Sequence, residues 1–129
     1  MGDVRANNYY SNSDSGLKIN ITDMASDDPT AALATLLNLR GKTFNWIGDD
    51  SPGMGVIAQE VEDVYPNMVK TDDNDYKSVL YMNLIAPVIT SITALNAMIV
   101  NHTENLIAAQ NAAINALEGR IYTLENPRR

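Results

Sequence analysis

The 129-residue chain contains no cysteine, which excludes disulfide scaffolds, thiol catalysis and cysteine-bound zinc. It has a single histidine, so a histidine-rich metal centre is excluded as well and no metal is expected. Basic side chains are scarce, nine against sixteen acidic ones, for a net charge of -7. Nucleic acid and anionic membrane surfaces call for a basic patch, so neither is an expected partner. No uninterrupted apolar run approaches the roughly 18 residues that span a bilayer. The N-terminus lacks the basic-then-apolar order of a secretion signal, and Met1-Gly2 resembles an expression start. Glycine-rich phosphate loops are absent, and no cofactor is expected. What is present is a 45% hydrophobic chain, enough for one modest core in a single domain.

Charge is distributed unevenly. Thirteen of the sixteen acids precede Tyr76, whereas Ser78 to Leu117 holds one formal charge, Glu104. The two regions must therefore meet different environments. Residues 1–12 are polar and aperiodic, and read as a stub of something upstream. From Ser26 the signals become regular. Asp27 or Asp28 can cap a helix with Pro29 in its first turn, Leu33, Leu36, Leu37 and Leu39 supply an apolar face, and Gly41 stops it. Thr43 to Ile47 alternates like a strand, and Gly48 to Gly53 has the chemistry of a loop. Gly55 to Ala58 reads as a short strand or a helix lead-in, and Val61 and Val64 follow at helical spacing until Pro66. Asp72 to Asp75 is an acidic turn, followed by a short strand through Val79 and Tyr81.

The last third predicts one long helix of about 35–40 residues, beginning between Asn83 and Pro87, since proline is comfortable only in a first turn. One stripe runs Ile92, Leu95, Ile99, His102, Leu106, Ala109, Ala113, Ala116; a second runs Val100, Thr103, Ile107, Gln110, Ile114, Leu117, Ile121, Leu124. The remaining positions are largely Asn, Thr, Ser and Gln. A solitary solvated helix would carry charged pairs four residues apart, and the rest of the chain is too small to cover this one. The pattern predicts packing against other copies of itself.

Residues that could carry chemistry are few. His102 lies on the apolar stripe without a Ser or Asp motif and reads as a packed or seam residue. Asp72 to Asp75 lacks calcium-loop spacing and reads as a solvated turn. The two Asn-X-Ser/Thr matches, at Asn20 and Asn101, are at chance level. One stretch differs: Asn12-Ser13-Asp14-Ser15-Gly16-Leu17-Lys18-Ile19-Asn20-Ile21. A serine and a lysine can serve as nucleophile and base without histidine when burial neutralises the amine. Spacing of five sets the two side chains about 140° apart on a helix and on opposite faces of a strand. Contact needs a turn at Ser15-Gly16 or a lysine from a neighbouring chain. The bland reading is a polar loop entering a strand at Leu17-Lys18-Ile19.

Read in order, these segments resemble a known family. Ser13-Asp14 with Leu17-Lys18 and Ile21, then Phe44-Asn45-Trp46, then Gly55-Val56-Ile57-Ala58-Gln59-Glu60-Val61 with Val64-Tyr65-Pro66 and Val69, and finally Ser78 to Leu84 are similar to the intramolecular chaperone domain of phage endosialidases, tail spikes, tail fibres and neck appendage proteins. The resemblance implies an α+β fold: a small mixed helix/strand head followed by a long C-terminal helix, about 85–125, in a homotrimeric coiled-coil-like bundle. It implies a domain over 13–129 behind the 1–12 stub. Its function would be to trimerise, help the upstream fibre or spike β-structure of the same polypeptide to fold, and then cut itself off once at Asn12–Ser13. Ser13 would be the nucleophile and Lys18 its activator, with Asp14 orienting the turn or Lys18. The trimer seam would hold Ile92, Leu95, Ile99, Leu106, Ile114, Leu117 and Ile121. Such a module would act in the host cytoplasm during phage assembly and be absent from the mature virion. An arginine usual in the family is Gly16 here, which leaves a non-cleaving trimerisation domain as the alternative.

Overall fold

The computed structural model describes residues 8, 10–25 and 27–128; most of the expected stub over 1–12 lies outside them. The element order is a 3₁₀ turn Ser15–Leu17, helix α1 Pro29–Leu36, strands β1 Lys42–Asn45 and β2 Pro52–Gly55, helix α2 Ala58–Val64, a 3₁₀ turn Pro66–Met68, strands β3 Val69–Thr71 and β4 Lys77–Val79, a 3₁₀ turn Tyr81–Leu84, and helix α3 Ile85–Glu125. The mixed head and the long C-terminal helix are as the sequence predicts.

Local chemistry explains most boundaries. Asp28 caps α1 by accepting from the Thr30 backbone N–H at 3.0 Å and from its hydroxyl, and Pro29 follows at the first helical position. These bonds, the hydroxyl first, hold the Asp28 carboxyl below the usual carboxylate range. The helix ends at Leu36, short of Gly41, because the chain tightens there: Asn38 N–H bonds Thr35 O and Leu39 N–H bonds Leu36 O.

Two strand expectations are corrected. β1 stops at Asn45, and Trp46 and Ile47 enter a turn closed by Trp46 N–H to Ser51 O at 2.9 Å and Asp50 N–H to Trp46 O at 3.1 Å. Gly48 (φ 114°) supplies the left-handed step the turn requires. The expected loop over 48–53 is partly strand: Pro52 and Gly53 belong to β2, antiparallel to β1 with Phe44 opposite Gly53. Pro52 starts the strand, where its missing N–H costs little. A Cβ at Gly53 would lie 2.5 Å from the Phe44 ring, so the ring fills the place of a side chain.

β3 was not legible in sequence. It pairs antiparallel with β4 from Val69↔Val79 to Thr71↔Lys77. The acidic run forms the hairpin turn, where the Asp72 carboxylate accepts from Asn74 N–H at 2.9 Å and Tyr76 N–H at 3.0 Å. The following strand ends at Val79, before Tyr81.

Helix α3 begins at Ile85 with Pro87 in its first turn. Helix α1 packs on its proximal half, where the buried residues are small: Ala32 on α1, and Pro87, Ser91 and Ala94 on α3, spaced four and three apart. Val61 on α2 is fully buried. Tyr65 places its hydroxyl inside with no hydrogen-bond partner among the described residues, and burial pushes the phenol pKa up.

The core is small. The chain exposes 11502 Å², against roughly 6,700 Å² for a compact monomer of its mass. Every residue from Leu95 to Arg128 is exposed. The helical stretch Tyr81–Glu125 is also long and apolar enough to cross a membrane by length and mean hydropathy, 1.7 in its most apolar window. That corrects the expectation drawn from uninterrupted apolar runs, because scattered Asn, Thr and Gln break the runs without lowering the average far.

Candidate functional site

The Ser13–Lys18 stretch does not enter a strand. Asp14 caps a single 3₁₀ turn, its carboxylate accepting from Gly16 N–H at 2.7 Å. Leu17 N–H bonds Asp14 O at 3.2 Å and Lys18 N–H bonds Ser15 O at 3.1 Å. The tight turn reverses the chain over the five-residue interval that neither a regular helix nor a strand could close. Lys18 Nζ consequently donates to Ser13 Oγ at 2.8 Å and to the Ser13 backbone carbonyl at 3.0 Å. The contact lies within one chain. Asp14 shapes the turn, while the lysine amine holds the serine.

Asn12, Ser13, Asp14 and Lys18 are all exposed. The turn closes with glycine at position 16. A Cβ there would stand 3.0 Å from the Asp14 carboxylate oxygen that caps it.

The Gly55–Val61 block lies far along the chain from this turn and organises the head. Tyr81 from the 3₁₀ turn before α3 accepts from Val56 N–H at 3.3 Å and donates to Val56 O at 3.5 Å. Gly55 is required under that hydroxyl, since a Cβ would come within 2.5 Å of it. Glu60 pairs with Lys42 at 2.9 Å, tying α2 to β1. Glu62 pairs with Lys77 at 2.9 Å, and the same amine donates to Thr71 Oγ1 at 2.9 Å, tying α2 to the second hairpin. The sequence reading did not find these cross-links. A lysine on each of two strands and the alternating acids of Gln59-Glu60-Val61-Glu62 were the signal available.

The expected seam residues fall on α3 and are all exposed: Ile92 61%, Leu95 45%, Ile99 57%, Leu106 51%, Ile114 51%, Leu117 54% and Ile121 53%. His102 lies among them, also exposed. No group of metal-binding side chains occurs among the described residues.

The chain is thus a small helix-and-strand head, opened by a serine–lysine turn and continued by a long helix whose distal half is exposed. Residues 13–70 match the family model described as the chaperone of endosialidase, a peptidase family, and this segment is similar to that family. The match begins at Ser13, covers a little under half the chain, and stops within β3, before β4 and α3. No curated protein matches the chain.

Proposed function

We propose that this chain is an intramolecular chaperone that assembles as a homotrimer, assists the folding of an upstream fibrous β-structure of the same polypeptide, and then cleaves its own Asn12–Ser13 bond. The observation that carries the cleavage step is the 2.8 Å contact between Lys18 Nζ and Ser13 Oγ, at the first residue of the family match. The Ser13 hydroxyl attacks the Asn12 carbonyl carbon, and its proton passes to a neutral Lys18 amine. The bond from that carbonyl carbon to Ser13 N breaks, nitrogen takes up a proton, and an ester joins Asn12 to Ser13 Oγ. Water then opens the ester, leaving a carboxylate at Asn12 and restoring the Ser13 hydroxyl. The nucleophile and the bond are covalent neighbours, so no substrate has to be bound.

Lys18 can accept a proton only when uncharged, and burial is what favours the uncharged amine. Coverage of this exposed turn by a neighbouring chain or by the folded upstream segment supplies that burial, which couples cutting to assembly. The helper role follows from the physics of fibrous β-structure, whose non-local contacts nucleate slowly. A helical clamp raises the effective concentration of three chain ends to about millimolar. The uncovered α3 supports the clamp, and the amides of Asn96, Asn101, Asn105, Gln110, Asn111 and Asn115 favour a protein seam over lipid, where unpaired polar groups are costly. The acidic hairpin at Asp72–Asp75 is a candidate arm toward the client. Release by cleavage during assembly in the host cytoplasm, with absence from the finished virion, completes the reading.

The exposure of Ser13 and Lys18, with Gly16 in place of the arginine the resemblance implies, favours one alternative: a trimeric registration clamp that does not cut. Intact mass of the module joined to its native upstream segment decides between them. Splitting between Asn12 and Ser13 in the parent, with Ser13→Ala and Lys18→Ala whole, is the expected result. A parent that trimerises and stays whole establishes the clamp instead.

A further inference from the structure

The polar residues of α3 meet burial in two ways. Thr93, Thr103 and Thr123 each donate their hydroxyl to the carbonyl four residues earlier, at 3.0, 2.8 and 2.9 Å. Thr103 can therefore enter an apolar seam with its proton already satisfied. Gln110 is different, because its amide brings two N–H donors and a carbonyl acceptor to a mid-helix position whose backbone N–H groups are all engaged.

Gln110 lies between Ile107 and Ile114 on the stripe that continues through Leu117, Ile121 and Leu124. Its large members are about half exposed over most of that length, with Ile107 and Ile114 each at 51%. The spacing alternates three and four, the pattern of a coiled-coil seam. A partner of opposite charge has almost nothing to grip, since Glu104 is the one formal charge between Ser78 and Leu117. The occupant this stripe fits is another helix with apolar layers above and below and a donor–acceptor amide at the same height. A second copy of this chain meets that requirement.

Resting on the self-association reading above, we propose that Gln110 is the register key of the assembly: Gln110 amides of neighbouring copies donate to and accept from one another in a single polar layer. A slip of one heptad places Gln110 opposite Thr103, whose hydroxyl is already used, and opposite Leu117, which has no polar group. The layer thus disfavours a one-heptad slip at a cost in total stability, the known use of a seam amide. In a three-fold assembly all three helices are parallel, so one register brings all three chain starts to the same level.

The full chain has no native cysteine, so Glu125→Cys carries one pyrene label. The labelled parent is expected to scatter as a trimer with strong excimer emission. Adding Gln110→Leu is expected to raise Tm and lower the excimer-to-monomer ratio about twofold as slipped registers become populated. Gln110→Asn, which keeps a donor and an acceptor, is expected to retain the excimer. A Gln110→Leu trimer with an unchanged excimer ratio overturns the role of Gln110 alone. A labelled parent that scatters as a monomer overturns the self-association reading and this inference with it.

Discussion

The head and the distal half of α3 solve the same problem by opposite means. The head, residues 27–84, buries little apolar surface, leaving Leu37, Ile47 and Met54 exposed, and holds together by turns, caps and cross-links: the Asp28 cap, the Asp72 turn, Lys42–Glu60, Lys77–Glu62 and the Tyr81–Val56 contact. Beyond Ala94, α3 has abundant apolar surface, sparse charge and no covering element among the described residues. Turns are local, and the ion pairs link elements of the head within one chain. A 41-residue helix is about 60 Å long, further than a head of this size can reach. The comparison teaches that polar cross-links hold the head together, whereas the apolar stripes of distal α3 stay uncovered.

The strongest way to break the contrast is to charge the uncovered helix. Leu106→Asp or Ile99→Asp is expected to reduce the assembly to monomers by light scattering and abolish cleavage, while head mutations leave the helix able to associate. Retention of the trimer in both variants would mean the seam lies on another face. Next in size is a blow to the head's closest approach. Gly55→Ala pushes a methyl against the Tyr81 hydroxyl and is expected to cost about 2 kcal/mol in chemical denaturation, with the oligomeric state intact. A variant as stable as the parent would show that Tyr81 swings aside freely.

The smallest effect sharpens the same comparison through pH. The Asp28 carboxyl is held below its ordinary range by Thr30, so on acidification the unfolded chain takes up this proton before the folded one does. The cap's contribution is whole above about pH 4 and fades as pH falls through the depressed folded value. Between pH 5 and pH 2, circular dichroism is expected to show a small loss of helix that Asp28→Asn lessens, because asparagine caps without titrating. An identical acid loss in both proteins would place the sensitivity elsewhere. The sparsely charged distal helix, whose acids are Glu104, Glu118 and Glu125, is expected to contribute less to it than the cap does.

Much of this was legible residue by residue. Asp28-Pro29 marked the start of α1, Pro87 fixed the first turn of α3, and the three-four spacing gave its length. The misses share one cause. β3 is three residues long and is a strand only because β4 pairs with it. Pro52 and Gly53 have the composition of a loop, yet Phe44 across the ladder needs the space that glycine leaves. The Gly55–Val61 block was recognisable as a pattern, but its purpose, placing Gly55 under Tyr81 and Glu60 beside Lys42, depends on residues far apart in the chain.

By itself, the sequence determined the elements that short-range forces specify: the capped helix, the acidic turn, the long helix with its apolar stripes, and a serine and lysine that could meet only through a turn. Tertiary structure decided what depends on distance through space. It closed that turn so that Lys18 reaches Ser13 in its own chain, bound the two hairpins to α2, and set α1 against the proximal half of α3 alone. The physical reason is range: caps and periodicity act over four residues, whereas coverage is settled by which surfaces the rest of the chain can reach.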